Sequence, residues 1–525
     1  MVFYLLLLGF WILPDSFAEQ PTELFCLDQE PNQKYDVIPP PKGSSIKATT
    51  TLTSRSNIIF SGPTRRIAME RPNSFLIMKD CDRIVIRGWH LTYMPNPSFF
   101  CTVSEKQLDN DGLALSSDLI ISGPVQAVTG FNMVLERFTK PDKYFHQTKV
   151  EILPTTNPTL YKLQDAPPLA LEKNQTLAFR TTTYGPPVIQ FVNCSNLILE
   201  DIVIEKAPGM GLHFKNCTNV ILRRIRFPAP SDAPFSANAD ATHFRECRGM
   251  IQFENCSFER MGDDAINVHG TYARLTDVVS TNTFEYATGR GDVDWPAPAA
   301  KGGDVVSIHH PTNPFGKPLV QGVVLSSQSG SEDKRLQITL DSPISEDLPK
   351  DSVVWNQSTS PSLLVTKCKF LNNRARGILI QSSNARIEDN WFQGMTGPAI
   401  KVTCDVGRWW ESGPTTNIVI RNNYISDCND GPGSAEGAIT VNADAPGLKP
   451  IAGVHRNIEI SGNRIRDVGG MGIFVSSAAN VRIFQNRLST ATPPFIQIRD
   501  STDVVMKENS MDLPETTVPP RDVTP

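Results

Sequence analysis

After its first 14 residues the chain has no apolar run that reaches the roughly 20 residues a membrane span requires. It has no basic stripe interleaved with aromatics, and its net charge is -5, so a nucleic-acid partner is excluded. The ten cysteines fall in no zinc-binding spacing, so neither a metal centre nor a cofactor is expected. Apolar residues at three- and four-residue spacings persist nowhere, which removes a helical array. The apolar stretch from Val2 to Pro14 is followed by Ser16-Phe17-Ala18, a small-x-small site. This reads as a cleaved export signal over residues 1–18 of a periplasmic or secreted protein, although no Lys or Arg precedes the stretch.

What the chain does have is a repeat. Asn193-Cys194-Ser195-Asn196-Leu197-Ile198-Leu199 recurs 23 residues later as Asn216-Cys217-Thr218-Asn219-Val220-Ile221-Leu222. Asn463, Asn486 and Asn509 keep the same period, each after a short β-branched run, and Asn390 and Asn423 hold that place in their own segments. Short Val/Ile strands punctuated by Asn and Gly, with no coil able to bury its own apolar face, predict an all-β solenoid, a right-handed parallel β-helix. Asn suits its bends because it tolerates a left-handed backbone and can bond its neighbour in the next coil. Cys194, Cys217, Cys247, Cys256 and Cys368 sit beside strands, as small buried thiols would.

Residues 19–271 are read as the first part of the solenoid, with coils up to about residue 180 broken by Pro- and Asn-rich loops. Over 272–356 the strands lengthen and alternate, as in Leu319-Val320-Gln321-Gly322-Val323-Val324-Leu325, which predicts an inserted antiparallel β-barrel or sandwich. Coils then occupy 357–513, and 514–525 is a frayed tail.

The insertion follows Gly262-Asp263-Asp264-Ala265-Ile266-Asn267-Val268-His269-Gly270, which lies one coil beyond Asn238-Ala239-Asp240-Ala241-Thr242-His243. Residues one coil apart stack at about 4.8 Å, so Asp240 is expected beside Asp263 and Asp264. A lone Asp in a solenoid is usually a solvated turn residue, but His243, Asn267 and His269 add convergent polar groups. Clustered acids suit glycoside hydrolysis, in which an acid protonates the leaving oxygen while a carboxylate activates water; the expected separation falls in the roughly 6.5–9.5 Å range of inverting enzymes. Consecutive Asp263 and Asp264 must lie at a bend to serve one site. Downstream, Asp405, Arg408, Trp409, Trp410 and Glu411 combine indoles with charged groups, as a sugar-binding loop would, and Arg376 and Lys401 are candidates for a pocket wall.

These motifs resemble glycoside hydrolase family 110, through the leader, Asn238 to His243, Gly262 to Tyr272, the insertion, and Trp409-Trp410-Glu411-Ser412-Gly413 with the strand after it. The resemblance implies an inverting α-1,3-galactosidase that releases terminal galactose from glycans such as the blood group B antigen, with Asp240 as general acid and Asp263 and Asp264 as the base pair. Polygalacturonases use a similar three-aspartate arrangement. This chain has Ala241 where their Asn-x-Asp motif carries Gly, and it has no Arg-Ile-Lys to grip a uronate. A non-catalytic sugar-binding solenoid is the other alternative, and it leaves the clustered acids unexplained.

Overall fold

The computed structural model describes residues 35–512 apart from 39–44, 63–64, 95, 109–113, 123–132, 138–147, 155–159, 165–173, 175, 183, 290–299, 430–435, 449 and 491–493. The export signal (1–18) and the tail (514–525) lie outside the described residues. Among the described residues there is no helix.

Strands stack into three parallel sheets, two of them 12-stranded. A coil gives one strand to each sheet, as in Ile189–Val192, Ser195–Glu200 and Val203–Ile204, and the next coil repeats it in Leu212–Lys215, Thr218–Arg223 and Arg226–Phe227. The 23-residue repeat is the register itself: Leu197 pairs with Val220, Ile198 with Ile221 and Leu199 with Leu222. The fold is the right-handed parallel β-helix expected from that repeat. Like residues thereby stack on like. Phe191, Phe214 and Phe244 form a column with ring centroids 4.8 and 4.4 Å apart and planes within 3°. The cysteines expected beside strands are buried, and none of the nine described cysteines is in a disulfide.

Asparagine plays its two expected parts in two separate ladders. Asn193, Asn196, Asn216 and Asn219 take left-handed backbones (φ 53–57°) at the bends, where this residue type is less strained than most. Asn390, Asn423, Asn463, Asn486 and Asn509 instead form an inner ladder in which each side-chain oxygen accepts from the preceding rung at 2.9–3.0 Å. The ladder extends a cysteine column, because the Cys368 backbone N–H donates to Asn390 Oδ1 at 2.9 Å.

Two antiparallel barrels interrupt the coils. The second comprises Ile266–Ser280, Thr283–Thr288, Val305–His309, Val320–Ser329, Leu336–Leu340 and Val353–Asn356, closed in the order 1-2-5-4-3-6. Its first strand is shared: Ile266 to His269 pair in parallel with Thr242 to Arg245, and the same strand runs on into the barrel. The first barrel corrects the reading of residues up to 180 as coils broken by loops. Ser98–Leu108, Ala114–Ser122, Met133–Arg137, Thr148–Pro154, Leu160–Gln164 and Thr176–Arg180 close antiparallel in the same 1-2-5-4-3-6 order. Its strands follow no 23-residue period, so the repeat that revealed the coils could not reveal it.

Asn463 tests the inner ladder. Its side chain accepts from the Asn423 backbone and amide nitrogens and donates to the Ile420 carbonyl and Asn486 Oδ1. Asn463→Leu is expected to cost about 3 kcal/mol, since each buried polar group left unpaired costs roughly 1–3 kcal/mol. A thermal midpoint equal to that of the unmodified protein would show that the ladder carries no stability.

Candidate active site

The site begins with a backbone ladder. Thr242, His243 and Phe244 pair in parallel with Ile266, Asn267 and Val268, so Asp240 and Asp264 occupy equivalent places just before their strands. The Ala241 N–H donates to the Asp264 carbonyl at 2.9 Å, and the Asp264 N–H donates to Asp240 Oδ1 at 3.1 Å. Gly262 lets the coils approach this closely, for a Cβ there would lie 2.4 Å from the Asn238 carbonyl oxygen. Asp263 and Asp264 lie at a bend, as two consecutive residues of one site must.

Side-chain oxygens of Asp240, Asp263 and Asp264 lie within 4.8 Å of one another. The acids are therefore together, as stacking of the two coils predicted. Burial, and then repulsion from Asp263, push Asp240 well above the usual carboxylate range. Burial also raises Asp264, to about 7, against the pull of Arg376. Arg376 Nε and Nη2 donate to the two oxygens of Asp264 at 2.7 and 2.9 Å, and its backbone N–H adds a third bond at 3.2 Å. Arg376 thus holds an acid in place, where the sequence suggested a pocket wall. Asp264 has 1% of its side chain exposed, and Asp263 has 22%.

His243 Nδ1 lies 2.6 Å from Asp240 Oδ2, its Nε2 lies 3.0 Å from His269 Nε2, and His269 Nδ1 lies 2.6 Å from the Gly270 carbonyl. Burial lowers both imidazoles, His269 to about 4. Glu411 reaches this chain because Glu411–Ser412 pairs antiparallel with Gly270 and Thr271, which sets Glu411 Oε1 3.7 Å from His269 Nε2. Burial alone would raise Glu411. A 2.6 Å bond from Gln381 Nε2 and the positive charge of Arg376 help to hold it below the usual range instead. Asn267 stands in register with His243, and its Oδ1 is buried without a partner among the described residues.

The remaining candidates have other local duties. Asp405 accepts the backbone N–H groups of Gly407, Arg408 and Trp409, so it builds the loop that delivers Glu411. Trp410 packs under Arg274, 4.9 Å from guanidinium to ring, and fills the space where Gly289 has no side chain. Arg408 lies over Trp409 at 4.7 Å. Lys401 pairs with Glu436 at 2.5 Å. The sequence reading overlooked Gln381, Glu436, Arg374 and His213. Of these, His213 had a signal: His213-Phe214 repeats as His243-Phe244 one coil on, and the two pairs are in register. Arg374 Nη1 lies 4.0 Å from Asp263 Oδ1.

Three carboxylates this close are also a conceivable cation site, but the donor set argues otherwise. The Arg376 guanidinium, bonded to both oxygens of Asp264, already supplies positive charge at the place a cation would take.

The family description Glycosyl hydrolases family 28 matches residues 170–291, and Right handed beta helix region matches 352–448. Alpha-1,3-galactosidase A of Shewanella woodyi is 27% identical over 353 residues, which are 64% of this chain and 55% of that protein. Alpha-1,3-galactosidase A of Bacteroides thetaiotaomicron is 25% identical over 503 residues, 88% of this chain and 84% of that protein. Apart from that longer match, the chain spans about half the length of the curated relatives it matches. An exopolygalacturonase structure from Thermotoga maritima aligns with TM-score 0.41 and 11% identity over 90% of this chain and 83% of that one.

Arg376→Ala would leave a buried carboxylate unpaired, at a cost of about 3 kcal/mol. Without the guanidinium the folded-state pKa of Asp264 rises further above its unfolded value. The stability deficit should therefore be small while Asp264 is protonated in both proteins and grow as the pH rises past about 7, where the intact protein ionises it. Melting curves at pH 5 and pH 8 measure it, and an equal deficit at both would show that the ion pair is not the cause.

Proposed function

Because the chain is a homologue of the α-1,3-galactosidases, as its motifs implied, we propose that it is an exo-acting glycoside hydrolase that removes terminal α-1,3-linked galactose, from glycans such as blood group B structures. The observation that carries the reading is the meeting of Asp240, Asp263 and Asp264 at one place, with Asp240 buried in an environment that keeps a carboxyl protonated. Asp240 is the general acid. Asp263 is the member of the pair that takes the proton from water, because Arg376 immobilises Asp264 while Asp263 keeps access to solvent. Asn267, in register with His243, and Trp409, on the loop that delivers Glu411, are the residues this reading assigns to the sugar. The same reading has residues 1–18 direct export.

A neutral hexose is favoured over a uronate by the pairing of the cations. Arg376 faces Asp264, Lys401 faces Glu436 and Arg245 faces Glu246, so each is already matched to a carboxylate of the protein. Inversion is what the resemblance implies.

Incubation with a panel of α-galactosides and polygalacturonate, followed by NMR, tests all of this. Release of galactose, born as the β-anomer, is the expected result. α-Galactose appearing first would make the mechanism retaining, released galacturonate would support the pectin reading, and silence on every sugar would support a binding solenoid. Asp240→Asn should fold normally and lose roughly 10²–10⁴-fold in rate, the usual contribution of general acid catalysis. In the unmodified enzyme, activity should fall as rising pH strips the proton from Asp240, and near-normal turnover by Asp240→Asn would remove its assignment.

A further inference from the structure

The hydrogen-bond chain behind Asp240 has three gaps to fill and a fixed end. Asp240 Oδ2, His243, His269 and the Gly270 carbonyl are joined at 2.6, 3.0 and 2.6 Å, so each gap is short enough to need one proton. The carbonyl has none to give, so His269 must carry its proton on Nδ1. A neutral imidazole donates from one nitrogen and accepts at the other. His269 Nε2 is then bare, and His243 must donate to it from its own Nε2. That leaves His243 Nδ1 bare and facing Asp240. Two neutral imidazoles supply two protons for three gaps. Shifting the tautomers only moves the vacancy along, because wherever it stops two lone pairs confront each other.

From this count we infer that His243, held in one tautomer by His269 and the Gly270 carbonyl, is the positioning residue that keeps a proton on the Asp240 carboxyl between turnovers. The inference rests on Asp240 being the general acid and adds how that acid is recharged. When Asp240 gives its proton to the departing sugar oxygen, its carboxylate is left 2.6 Å from a bare ring nitrogen. Refilling that gap from solvent is then favoured over leaving it empty. The water proton taken by Asp263 returns to solvent, so the cycle balances.

The surroundings of His243 act in both directions. Glu411, Asp263 and Asp264 favour a proton there, while Arg245 opposes it together with burial. His213, on the preceding coil with its ring 5.5 Å away, is itself held neutral by burial. Arg376 acts on Asp240 in the opposing sense. The count requires a third proton in the gap between His243 and Asp240, and burial of the His243 ring, which disfavours an imidazolium, puts that proton on the carboxyl side.

Two measurements separate this inference from the reading it rests on. The first is the pH dependence of kcat/KM on galactosyl-α-1,3-galactose for His243→Ala and His269→Ala. Both should move the upper limb to lower pH by about one unit, as loss of a hydrogen bond to the protonated form would, with KM changed less than about twofold. An upper limb unmoved in both variants, with rate lost equally at every pH, would reduce the histidines to packing and overturn the inference. The second is ¹⁵N NMR of histidine-labelled unmodified protein at pH 7, with the His269→Ala spectrum assigning the resonances. A proton on Nδ1 of His269 and a bare Nε2 are expected, and the opposite tautomer would overturn the chain. If the unmodified protein releases no galactose, the glycosidase reading fails, and the nitrogen shifts still decide the tautomers.

Discussion

Everything at the site depends on the backbone register between Thr242–Arg245 and Ile266–Ser280. Because Thr242 pairs with Ile266 and His243 with Asn267, residues just outside the strands are matched as well, and Asp240 meets the Asp264 N–H. A slip of one residue would turn the alternating side chains to the opposite face. The buried columns oppose any such slip, since it would drive phenylalanine rings and asparagine amides out of their places along the whole spiral. The protein thus holds three acids together through an apolar core and a backbone register set along the whole spiral, with direct bonds from the Asp264 and Arg376 backbone N–H groups and the Arg376 guanidinium completing the grip.

Much of this was legible in the sequence, and the reason is periodicity. A 23-residue repeat states which residues stack, so the β-helix, the meeting of Asp240 with Asp263 and Asp264, and the inner asparagines could all be inferred by counting. Counting fails where partners come from outside the period. Arg376 reaches Asp264 from 112 residues away, across the second barrel, and nothing local to Arg376 marks it as a carboxylate clamp. Glu411 approaches His269 through a short antiparallel pairing that no parallel repeat foretells. Asp405 looked like a sugar ligand because it sits beside two tryptophans, yet its oxygens are satisfied by its own loop, an ordinary habit of Asp at turns.

The two barrels share one solution to the problem of interrupting a solenoid. In each, the first and last strands are hydrogen-bonded neighbours, Ser98–Leu108 with Thr176–Arg180 and Ile266–Ser280 with Val353–Asn356. The chain therefore leaves and re-enters the coil at nearly the same point, and the stacked sheets continue past the insertion, with Ile266 pairing directly onto Ile378.

The two barrels differ in how they are joined to the chemistry. The second shares an unbroken strand with the solenoid, and His269 lies three residues before Tyr272, which already pairs with Trp355 on the barrel side. Backbone is much stiffer along a strand than between loops. A change in the twist of that barrel is thereby carried along one continuous strand to the backbone that holds His269.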